Sequence, residues 1–398
     1  MKYASIVPLI GGETLAMENA FGKRPEYILS YEAFRNNDQH IVDHYKGEVP
    51  YYTLSGTSSD PSYPIVDVVN TVCPCAGLSS LSPSAASDNS ANDWMFITSE
   101  YVLGTLSPKV FWGENAPRLA SKMGEPVVKR LRKIASRHGY TFSIYKTKSI
   151  LHGLSQVRDR TFYFFWKGDE VPFFPYINRE YEKIEDLIRS VKYDESDPMS
   201  TTLTNNKKPT DNPFYKYVLE EMEGGITHQE FAAKIEKTTN PLDYIEAAGI
   251  TYDKVAEWMR TNGYEREASK CDRMYHKLES GGNIMRKNTE IPKDYIGAFV
   301  GHMPTSIAHP DEDRYLTIRE AMAIMKLPED FQLQGGLKNL NHICQNVPVT
   351  TATDMANAVK DYLEGKLDTV QSEFLVQDNK TKSYQIEIPS VQLDQFMV

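Results

Sequence analysis

Cysteine is scarce in this chain of 398 residues, and long apolar runs are missing. The four cysteines, Cys73, Cys75, Cys271 and Cys344, are too few and too scattered for a disulfide framework, which predicts a reducing, intracellular setting. No second Cys or His pair lies near Cys73 and Cys75 at ligand spacing, so we expect no metal site. No apolar run approaches the roughly 20 residues that cross a bilayer, and the first residues lack the order of a signal peptide. We therefore expect no membrane association.

An excess of basic residues is also missing, because the formal net charge is −10 at neutral pH. Proteins that bind nucleic acid usually present a basic surface, so this balance argues against such a partner. The segment 118–148 is an exception, since Glu125 is its only acid among many Lys and Arg residues. Two interpretations of this segment stay open, a solvated helix face and a surface that steers nucleic acid towards the protein.

Residues 1–166 alternate between strand-like and helix-like segments. Runs with the β-branched and aromatic composition of strands lie at 27–34, 64–72, 109–115, 141–147 and 160–166. Helical spacing appears between them, as at 13–21 and 127–138. This alternation predicts an α/β fold, with a Rossmann-like, mostly parallel sheet that has helices on both faces. Ligands of such sheets bind at the carboxyl ends of the strands.

Beyond about residue 168 the chain becomes more irregular. Pro, Asn and Lys cluster in the segment 196–213, which predicts a linker or a mobile loop. Amphipathic helical stretches follow, and the segment 374–388 has the pattern of a hairpin. We predict four parts: a first domain at 1–167, a smaller and irregular inserted lobe at 168–309, a return to the first domain at 310–365, and a C-terminal tail at 366–398.

The segment 67–80, DVVNTVCPCAGLSS, is an apolar strand that ends in Pro74 and Cys75 and continues with small residues. A Pro directly before a Cys at a strand end fixes a turn that projects the thiol into a cleft. Gly77 allows the backbone to pass closely there. A Cys at a strand end is, however, more often a buried small apolar residue, so this segment alone leaves both interpretations open.

Two further segments bring polar side chains to strand ends. Glu114 and Asn115 end the strand at 109–115, where Asn115 is equally well explained as a strand-end cap. A series at alternate positions leads into the next strand: Gln156, Arg158 and Arg160. Alternate positions along an extended chain point to one face. A carboxyl, a thiol and two arginines at the strand ends of one sheet suit covalent attack on an anionic substrate.

The order of seven segments resembles that of the DNA cytosine-5-methyltransferases. This family carries a glycine-rich first loop, an acid after the second strand, P-C-Q-G-x-S, E-N-V, Q-x-R-x-R, an R-x-L-T-x-R-E block and G-N-x-V-P. The segments that match are LIGGETLAMENAFG (9–22), SYEAF (30–34), PCAGLS (74–79), ENAP (114–117), QVRDR (156–160), RYLTIREAMAIMKLPEDF (314–331) and QNVP (345–348). Their order and spacing agree with the family over roughly residues 5–365. The resemblance implies an S-adenosylmethionine-dependent methyltransferase fold, in which the insert at 168–309 is the target-recognition domain.

The resemblance also implies a role for each residue of the base site. Cys75 would be the nucleophile that adds to carbon 6 of a cytosine flipped out of DNA. Glu114 would hold nitrogen 3 and the exocyclic amine and share a proton with the ring. Arg160 would contact the base oxygen and a nearby phosphate, while Arg158 would support that loop. The residues implied in base binding or loop support are Pro74, Asn115 and Gln156.

The cofactor that the resemblance implies is S-adenosyl-L-methionine. Gly11 and Gly12 open the first helix and would approach its methionine part closely. Glu32 stands where this fold places an acid against ribose hydroxyls. Asn346 and Val347 belong to the late loop that closes the cofactor pocket in the family.

Several positions depart from the family pattern. Leu9 stands in place of the first glycine of the first loop, Ala76 in place of the Gln after the Cys, and Gln345 in place of the Gly before Asn346. No equivalent of the family's G-D-I is evident at 51–60. The residues of the base chemistry are kept, so we expect a divergent but active enzyme. The Ser-rich stretch 79–93 is interpreted as a lid that closes over DNA, with a plain surface loop as the alternative.

Two other functions are compatible with these motifs. One is the same chemistry on RNA, as in a tRNA cytosine methyltransferase, and the other is a catalytically idle DNA-binding protein of the same fold. The large insert favours double-stranded DNA, and the presence of both Cys75 and Glu114 favours an active enzyme. We expect a monomer that works in the cytoplasm of a bacterial or phage-infected cell, or otherwise inside a cell with DNA. Restriction-modification, viral self-protection and regulation are all compatible roles.

Overall fold

The protein divides into two compact units in a computed structural model, which describes residues 1–57, 59–73, 77–79, 84–204, 207–286, 289–301 and 303–387. Unit 1 comprises Met1–Tyr181, Met325–Gln334 and the chain from His342 onward. Unit 2 comprises Glu182–Ile324 and Gly335–Asn341. Unit 2 thus begins later and ends later along the chain than the predicted insert at 168–309.

Most strands of unit 1 belong to one large sheet. The described residues contain eleven strands: β1 (Tyr3–Ile6), β2 (Ile28–Tyr31), β3 (Tyr51–Leu54), β4 (Val68–Thr71), β5 (Val110–Asn115), β6 (Tyr140–Lys148), β7 (Asp159–Lys167), β8 (Glu170–Pro172), β9 (Thr369–Gln371), β10 (Phe374–Asp378) and β11 (Ser383–Ile386). Nine of them form one sheet in the order β11-β10-β6-β7-β5-β4-β1-β2-β3, and β8 pairs with β9 separately. The C-terminal hairpin β10–β11 extends this sheet beside β6.

All strands of the large sheet run in one direction except β7 and β11. The predicted α/β fold with a mostly parallel sheet is therefore confirmed. The predicted strands omit β1, which is fully buried, and β3, which is a partly exposed edge strand. Strand order reverses at β1, with β2 and β3 on one side and β4 and β5 on the other. Ligands of α/β sheets bind at such a switch point, beyond the carboxyl ends of the strands.

Helices cover both faces of this sheet. The described residues contain twelve α-helices: α1 (Gly12–Phe21), α2 (Arg35–His44), α3 (Asp93–Tyr101), α4 (Glu125–Arg137), α5 (Ile184–Ser190), α6 (Pro213–Tyr217), α7 (His228–Lys234), α8 (Pro241–Ala247), α9 (Tyr252–Thr261), α10 (Glu265–Glu279), α11 (Ile318–Ile324) and α12 (Val349–Leu363). Helix α1 packs against α12, and α3 packs against α4. Phe111 and Phe165 join the core cluster that contains α3 and α4. Trp166 points the other way, and its ring centroid is 4.7 Å from that of Tyr362 in α12.

Unit 2 contains α5 to α11 and has a core of its own. Buried apolar side chains of α6 to α10 form this core, among them Phe214, Leu242, Val255 and Cys271. Helix α7 begins with a capping box. The Thr227 hydroxyl accepts from the Glu230 N–H, and the Glu230 carboxylate accepts from the Thr227 N–H.

The predicted linker at 196–213 is packed at several points. Met199 and Leu203 are buried, and 3-10 turns form at Pro198–Ser200 and Pro209–Asp211. The prediction of a mobile loop is therefore wrong at these residues. Within the described ranges, no helix is both long enough and apolar enough to cross a membrane.

Glycines in the left-handed region flank α1 at both ends, and they allow a matched test. Gly11 has φ of 98° and Gly22 has φ of 69°. A Cβ at Gly11 would lie 2.6 Å from the Ile41 side chain, whereas a Cβ at Gly22 would meet no atom within 4 Å. Left-handed strain costs about 1 kcal/mol or more for a residue with a Cβ, and overpacking adds about 1–3 kcal/mol.

We predict that Gly22→Ala lowers the free energy of unfolding by about 1 kcal/mol and that Gly11→Ala lowers it by at least twice as much. Urea unfolding followed by circular dichroism measures both variants. Equal losses would show that the Gly11–Ile41 approach does not constrain the fold.

Candidate active site

Glu114 lies at the carboxyl end of β5, beside the end of β4, because Thr71 and Gly113 are register partners. Its side chain is fully buried, and Arg160 of β7 places Nε 3.2 Å from Glu114 Oε2. Burial raises the pKa of Glu114, while Arg160 and Arg158 act against that rise. The result is a buried carboxyl that can hold or release a proton next to a fixed cation.

Arg158 and Gln156 converge on one methionine. Arg158 Nη1 and Gln156 Nε2 each lie 3.8 Å from Met325 Sδ, and both side chains are buried. Arg158 Nη2 also donates to the Cys344 carbonyl at 2.7 Å. Arg158 therefore ties the segment before β7 to the late segment of the chain that carries Asn346.

Asn115 has the contacts of a strand-end cap. Its Oδ1 accepts from the Ala116 N–H at 2.8 Å, and its Nδ2 lies 3.2 Å from Met95 Sδ in α3. These contacts favour loop support over a direct contact with a base. The sequence left a strand-end cap and a base contact equally open for Asn115, and the structure favours the cap.

Pro74 and Cys75 lie outside the described residues, whereas Cys73 lies within them. Cys73 is buried, with Sγ 3.5 Å from Thr71 Oγ1 and 3.8 Å from the Trp94 carbonyl. Burial raises the pKa of its thiol, so Cys73 is a poor nucleophile.

Gly77, the next described residue after Cys73, lies in close contact with the Ser-rich stretch. A Cβ at Gly77 would lie 2.3 Å from Asn92 Oδ1, which explains the need for glycine. Asn92 Nδ2 donates to the Ala86 carbonyl at 3.0 Å, and Asn89 caps the 3-10 turn Ser90–Asn92. Residues 80–83 of the stretch lie outside the description, so the lid remains a prediction.

The first loop, residues 7–11, has a strained backbone. Val7 and Leu9 have φ of 50° and 51°, so Leu9 keeps the left-handed conformation at a position where the family has glycine. Asp38 Oδ1 accepts from the Leu9 N–H at 3.0 Å and holds the loop in place. Burial raises the pKa of Asp38 to about 7, although hydrogen bonds from Ser30, Tyr51 and Leu9 oppose this rise.

Three of the residues predicted to bind the cofactor meet at the start of α1. A Cβ at Gly12 would lie 3.0 Å from Asn346 Cβ and 3.2 Å from the Val347 carbonyl oxygen. Asn346 Nδ2 donates to Glu13 Oε2 and lies 3.4 Å from the Pro8 carbonyl. Gly11 directly precedes this group in the chain. Sequence reasoning did not single out Glu13, because an acid in the first turn of a helix is a common feature.

Glu32 stands apart from that group, in the 3-10 turn Glu32–Phe34 directly after β2. Its side chain is 72% exposed and lies 3.7 Å from Arg35 Nη1, so its carboxylate is accessible to a ligand. A cavity of about 570 Å³ opens nearby, with Tyr31, Gly56, Phe96 and Ile97 in its wall. Tyr31, the last residue of β2, directly precedes Glu32, so this cavity lies at the carboxyl end of β2.

The basic segment 118–148 is largely neutralised. Its pairs with acids are Lys129–Glu125, Arg130–Asp93, Arg132–Glu387, Arg137–Glu100 and Lys146–Asp378. Arg130 also stacks over Phe96 at 3.9 Å, and Arg132 over Phe374 at 4.3 Å. These contacts favour a solvated helix face over a steering surface. In the part of the chain that is described, no group of three or more His, Cys, Asp or Glu side chains could hold a metal ion.

Comparisons with known proteins identify the fold and the family of this chain. The structure is similar to that of an E. coli protein described as a DNA modification methyltransferase encoded within a prophage, with 14% identity, a TM-score of 0.59 and coverage of 92% of this chain and 99% of that one. It is also similar to the Entamoeba histolytica methyltransferase EhMeth, with 13% identity, a TM-score of 0.53 and coverage of 91% and 98%. No curated protein matches the sequence significantly. Both likenesses show the fold of an S-adenosylmethionine-dependent methyltransferase. The sequence model of the C-5 cytosine-specific DNA methylases matches residues 1–361, so the chain belongs to this family and is a DNA cytosine-5-methyltransferase.

Proposed function

We propose that the protein transfers the methyl group of S-adenosylmethionine to carbon 5 of a cytosine flipped out of double-stranded DNA, through a covalent adduct on Cys75. The observation that carries this proposal is the buried Glu114–Arg160 pair at the end of β5. The neighbouring strand β4 leads within four residues to Cys75. A proton-holding carboxyl and a nucleophilic thiol are the two groups that attack on a cytosine ring requires.

In the first step the Cys75 thiolate forms a bond from sulfur to carbon 6 of the ring. The electrons of the double bond between carbons 5 and 6 move into the ring, and Glu114 gives a proton to nitrogen 3 as charge builds there. Arg160 holds the Glu114 carboxyl by the contact of 3.2 Å and compensates its charge when the proton has left. The base must leave the helix stack for this step, because its ring atoms are otherwise out of reach.

The second step completes the substitution. S-adenosylmethionine, when bound, supplies an electrophilic methyl group on its sulfonium sulfur. Carbon 5 would take this methyl group, and the sulfur of the cofactor would keep the electron pair of the bond that breaks. A water molecule then takes the proton from carbon 5, the ring double bond forms again, the bond from carbon 6 to Cys75 breaks, and Glu114 recovers the proton from nitrogen 3.

The residues that would hold the cofactor come from the first loop and the late segment. Gly12 packs directly on Asn346 and Val347, and Gly11 packs on Ile41. In this proposal the methionine part would lie against this closely packed segment. Glu32, exposed after β2, would accept hydrogen bonds from the ribose hydroxyls. The strained backbone of the first loop is consistent with a segment shaped by ligand binding.

The first test compares two cysteines that are two residues apart. We predict that Cys75→Ser abolishes transfer of a tritiated methyl group to DNA, because an alkyl hydroxyl is far less acidic and nucleophilic than a thiol. Cys73→Ser should keep most activity, because the Cys73 thiol is buried against Thr71 and the Trp94 carbonyl. DNA binding by both variants, measured by fluorescence anisotropy, serves as the control for folding. Comparable loss of activity in both variants would refute the role of Cys75.

We further propose that the insert at 168–309 selects the DNA site. All seven family segments lie outside it, whereas six helices, α5 to α10, lie within it, and α6 to α10 share a separate core. Recognition of bases in the major groove rests on few side chains, each worth roughly 1–3 kcal/mol of discrimination.

We predict that a chimera carrying the insert of another family member methylates a different site in a library of randomised DNA. Bisulfite sequencing identifies the methylated sites, and unchanged binding of S-adenosylhomocysteine shows that unit 1 is intact. An active chimera with the site preference of the wild type would place recognition in unit 1 instead.

A further inference from the structure

Helix α10 of unit 2 carries most of its positive charge along one line. The sequence of this helix, Glu265–Glu279, is EREASKCDRMYHKLE. Its four Lys and Arg residues follow one another at intervals of four, three and four positions: Arg266, Lys270, Arg273 and Lys277. At about 100° per residue, these intervals place the four side chains within about 60° of the helix circumference. We call these four residues the basic stripe.

The packing of α10 turns the basic stripe towards solvent. Ala268, Cys271 and Met274 are the buried residues of this helix and belong to the core of unit 2. Asp272, on a different side of the helix from the stripe, pairs with Arg260 of α9. All four residues of the basic stripe are exposed. The core contacts of α10 therefore fix the direction in which the stripe faces.

Within the described part of the chain, no residue of the basic stripe has a carboxylate oxygen within 4.0 Å. Acids are not scarce, because the chain has 54 acidic and 44 basic residues. Other basic residues of unit 2 do have acid partners, in the pairs Lys216–Glu220, Lys234–Glu223, Arg260–Asp272 and Arg286–Glu246. The charges of the stripe are thus available to a partner from outside the chain.

The spacing of the stripe is unfavourable for the helix by itself. Arg266 lies four positions before Lys270, and Arg273 lies four positions before Lys277. Like charges at this spacing repel each other and destabilise a helix. A polyanion that lies along the stripe would compensate this repulsion. From Arg266 to Lys277 the helix rises about 16 Å, which matches about five successive phosphates on one strand of DNA.

We infer that the basic stripe of α10 binds the phosphate backbone of the DNA substrate and holds unit 2 on DNA of any sequence. The inference rests on the proposed function, because that function makes DNA the substrate. Phosphate contacts supply affinity and register, whereas base contacts supply the choice of site. The stripe therefore gives the inserted lobe a second task beside site selection. The basic segment 118–148 is less suited to this contact, because most of its cations are paired with acids.

The test is the salt dependence of DNA binding. The stripe variant carries Arg266→Gln, Lys270→Gln, Arg273→Gln and Lys277→Gln. Fluorescence anisotropy measures the binding of a labelled DNA duplex of random sequence, without cofactor, between about 50 and 200 mM salt. Each phosphate contact contributes about 0.9 to the slope of log affinity against log salt, so the stripe variant should lose about 3.6 from this slope. Over that range, the wild type should weaken roughly 100-fold more than the stripe variant.

A matched control separates the stripe from net charge. The paired variant also replaces two Lys and two Arg residues of unit 2, by Lys216→Gln, Lys234→Gln, Arg260→Gln and Arg286→Gln. It changes the net charge by the same amount, but each replaced residue has an acid partner. Its slope should stay close to that of the wild type. Circular dichroism checks the folding of both variants, and the milder double variant Arg266→Gln with Lys277→Gln should lose about half as much slope as the stripe variant.

The outcomes separate the stripe from the proposed function. Equal slopes for the wild type and the stripe variant would overturn the inference, and so would an equal loss of slope in the stripe and paired variants. A loss of slope on an RNA duplex but not on DNA would assign the stripe to RNA and overturn it as well. Methylation of a randomised DNA library at low salt should show the same site preference in the wild type and the stripe variant, whereas a changed preference would mean that α10 reads bases. A wild type that binds DNA through the stripe but transfers no methyl group would overturn the proposed function alone.

Discussion

The burial of Glu114 against Arg160 is the constraint on which the site depends. Taking a carboxyl and a guanidinium out of water costs several kcal/mol for each ion, and only close geometry with further hydrogen bonds repays it. The register of β5 and β7 supplies that geometry, because Glu114 lies opposite Phe162 and Arg160 precedes Phe162 by two residues. In the proposed mechanism, this charged pair is kept because it can hold a proton for the base.

The base site and the cofactor loop are parts of one network. Arg158 reaches the Cys344 carbonyl, two residues before Asn346, and Asn346 in turn bonds Glu13 at the start of α1. Three segments that are far apart in sequence therefore share one buried region. The first loop beside them keeps a left-handed backbone at Leu9 and depends on Asp38 to hold it. Leu9 therefore adopts a backbone conformation that glycine adopts at a lower cost.

Much of the fold could be predicted from the sequence, because strand composition and helical spacing are local signals. The five predicted strands correspond to β2, β4, β5, β6 and β7, and the hairpin at 374–388 corresponds to β10 and β11. Strands β1 and β3 were missed, although they are as long as β2 and β4, because β2 and β4 lie within the longer strand-like runs at 27–34 and 64–72. The limits of unit 2 depend on which side chains share a core, and no local motif marks them.

The site was predictable where chemistry has a sequence signature and not where it depends on packing. The alternation of Gln156, Arg158 and Arg160 indicated a shared face. Only the structure shows that Gln156 and Arg158 contact Met325, whereas Arg160 contacts Glu114. The pairing of the basic segment with distant acids such as Glu387 is likewise a tertiary feature. Glu13 becomes significant only when Asn346, far along the chain, is seen to contact it.

The proposed mechanism requires that Cys75 forms a bond to the target base. Double-stranded DNA in which 5-fluorocytosine replaces cytosine tests it most directly, because fluorine at carbon 5 cannot leave as a proton and the adduct cannot resolve. Incubation with S-adenosylmethionine, proteolysis and peptide mass spectrometry then locate the modified residue. The account predicts one DNA-linked peptide, modified at Cys75 and absent from Cys75→Ser. A stable adduct on another cysteine, or efficient methyl transfer to ordinary cytosine with no adduct on the fluorinated DNA, would contradict it.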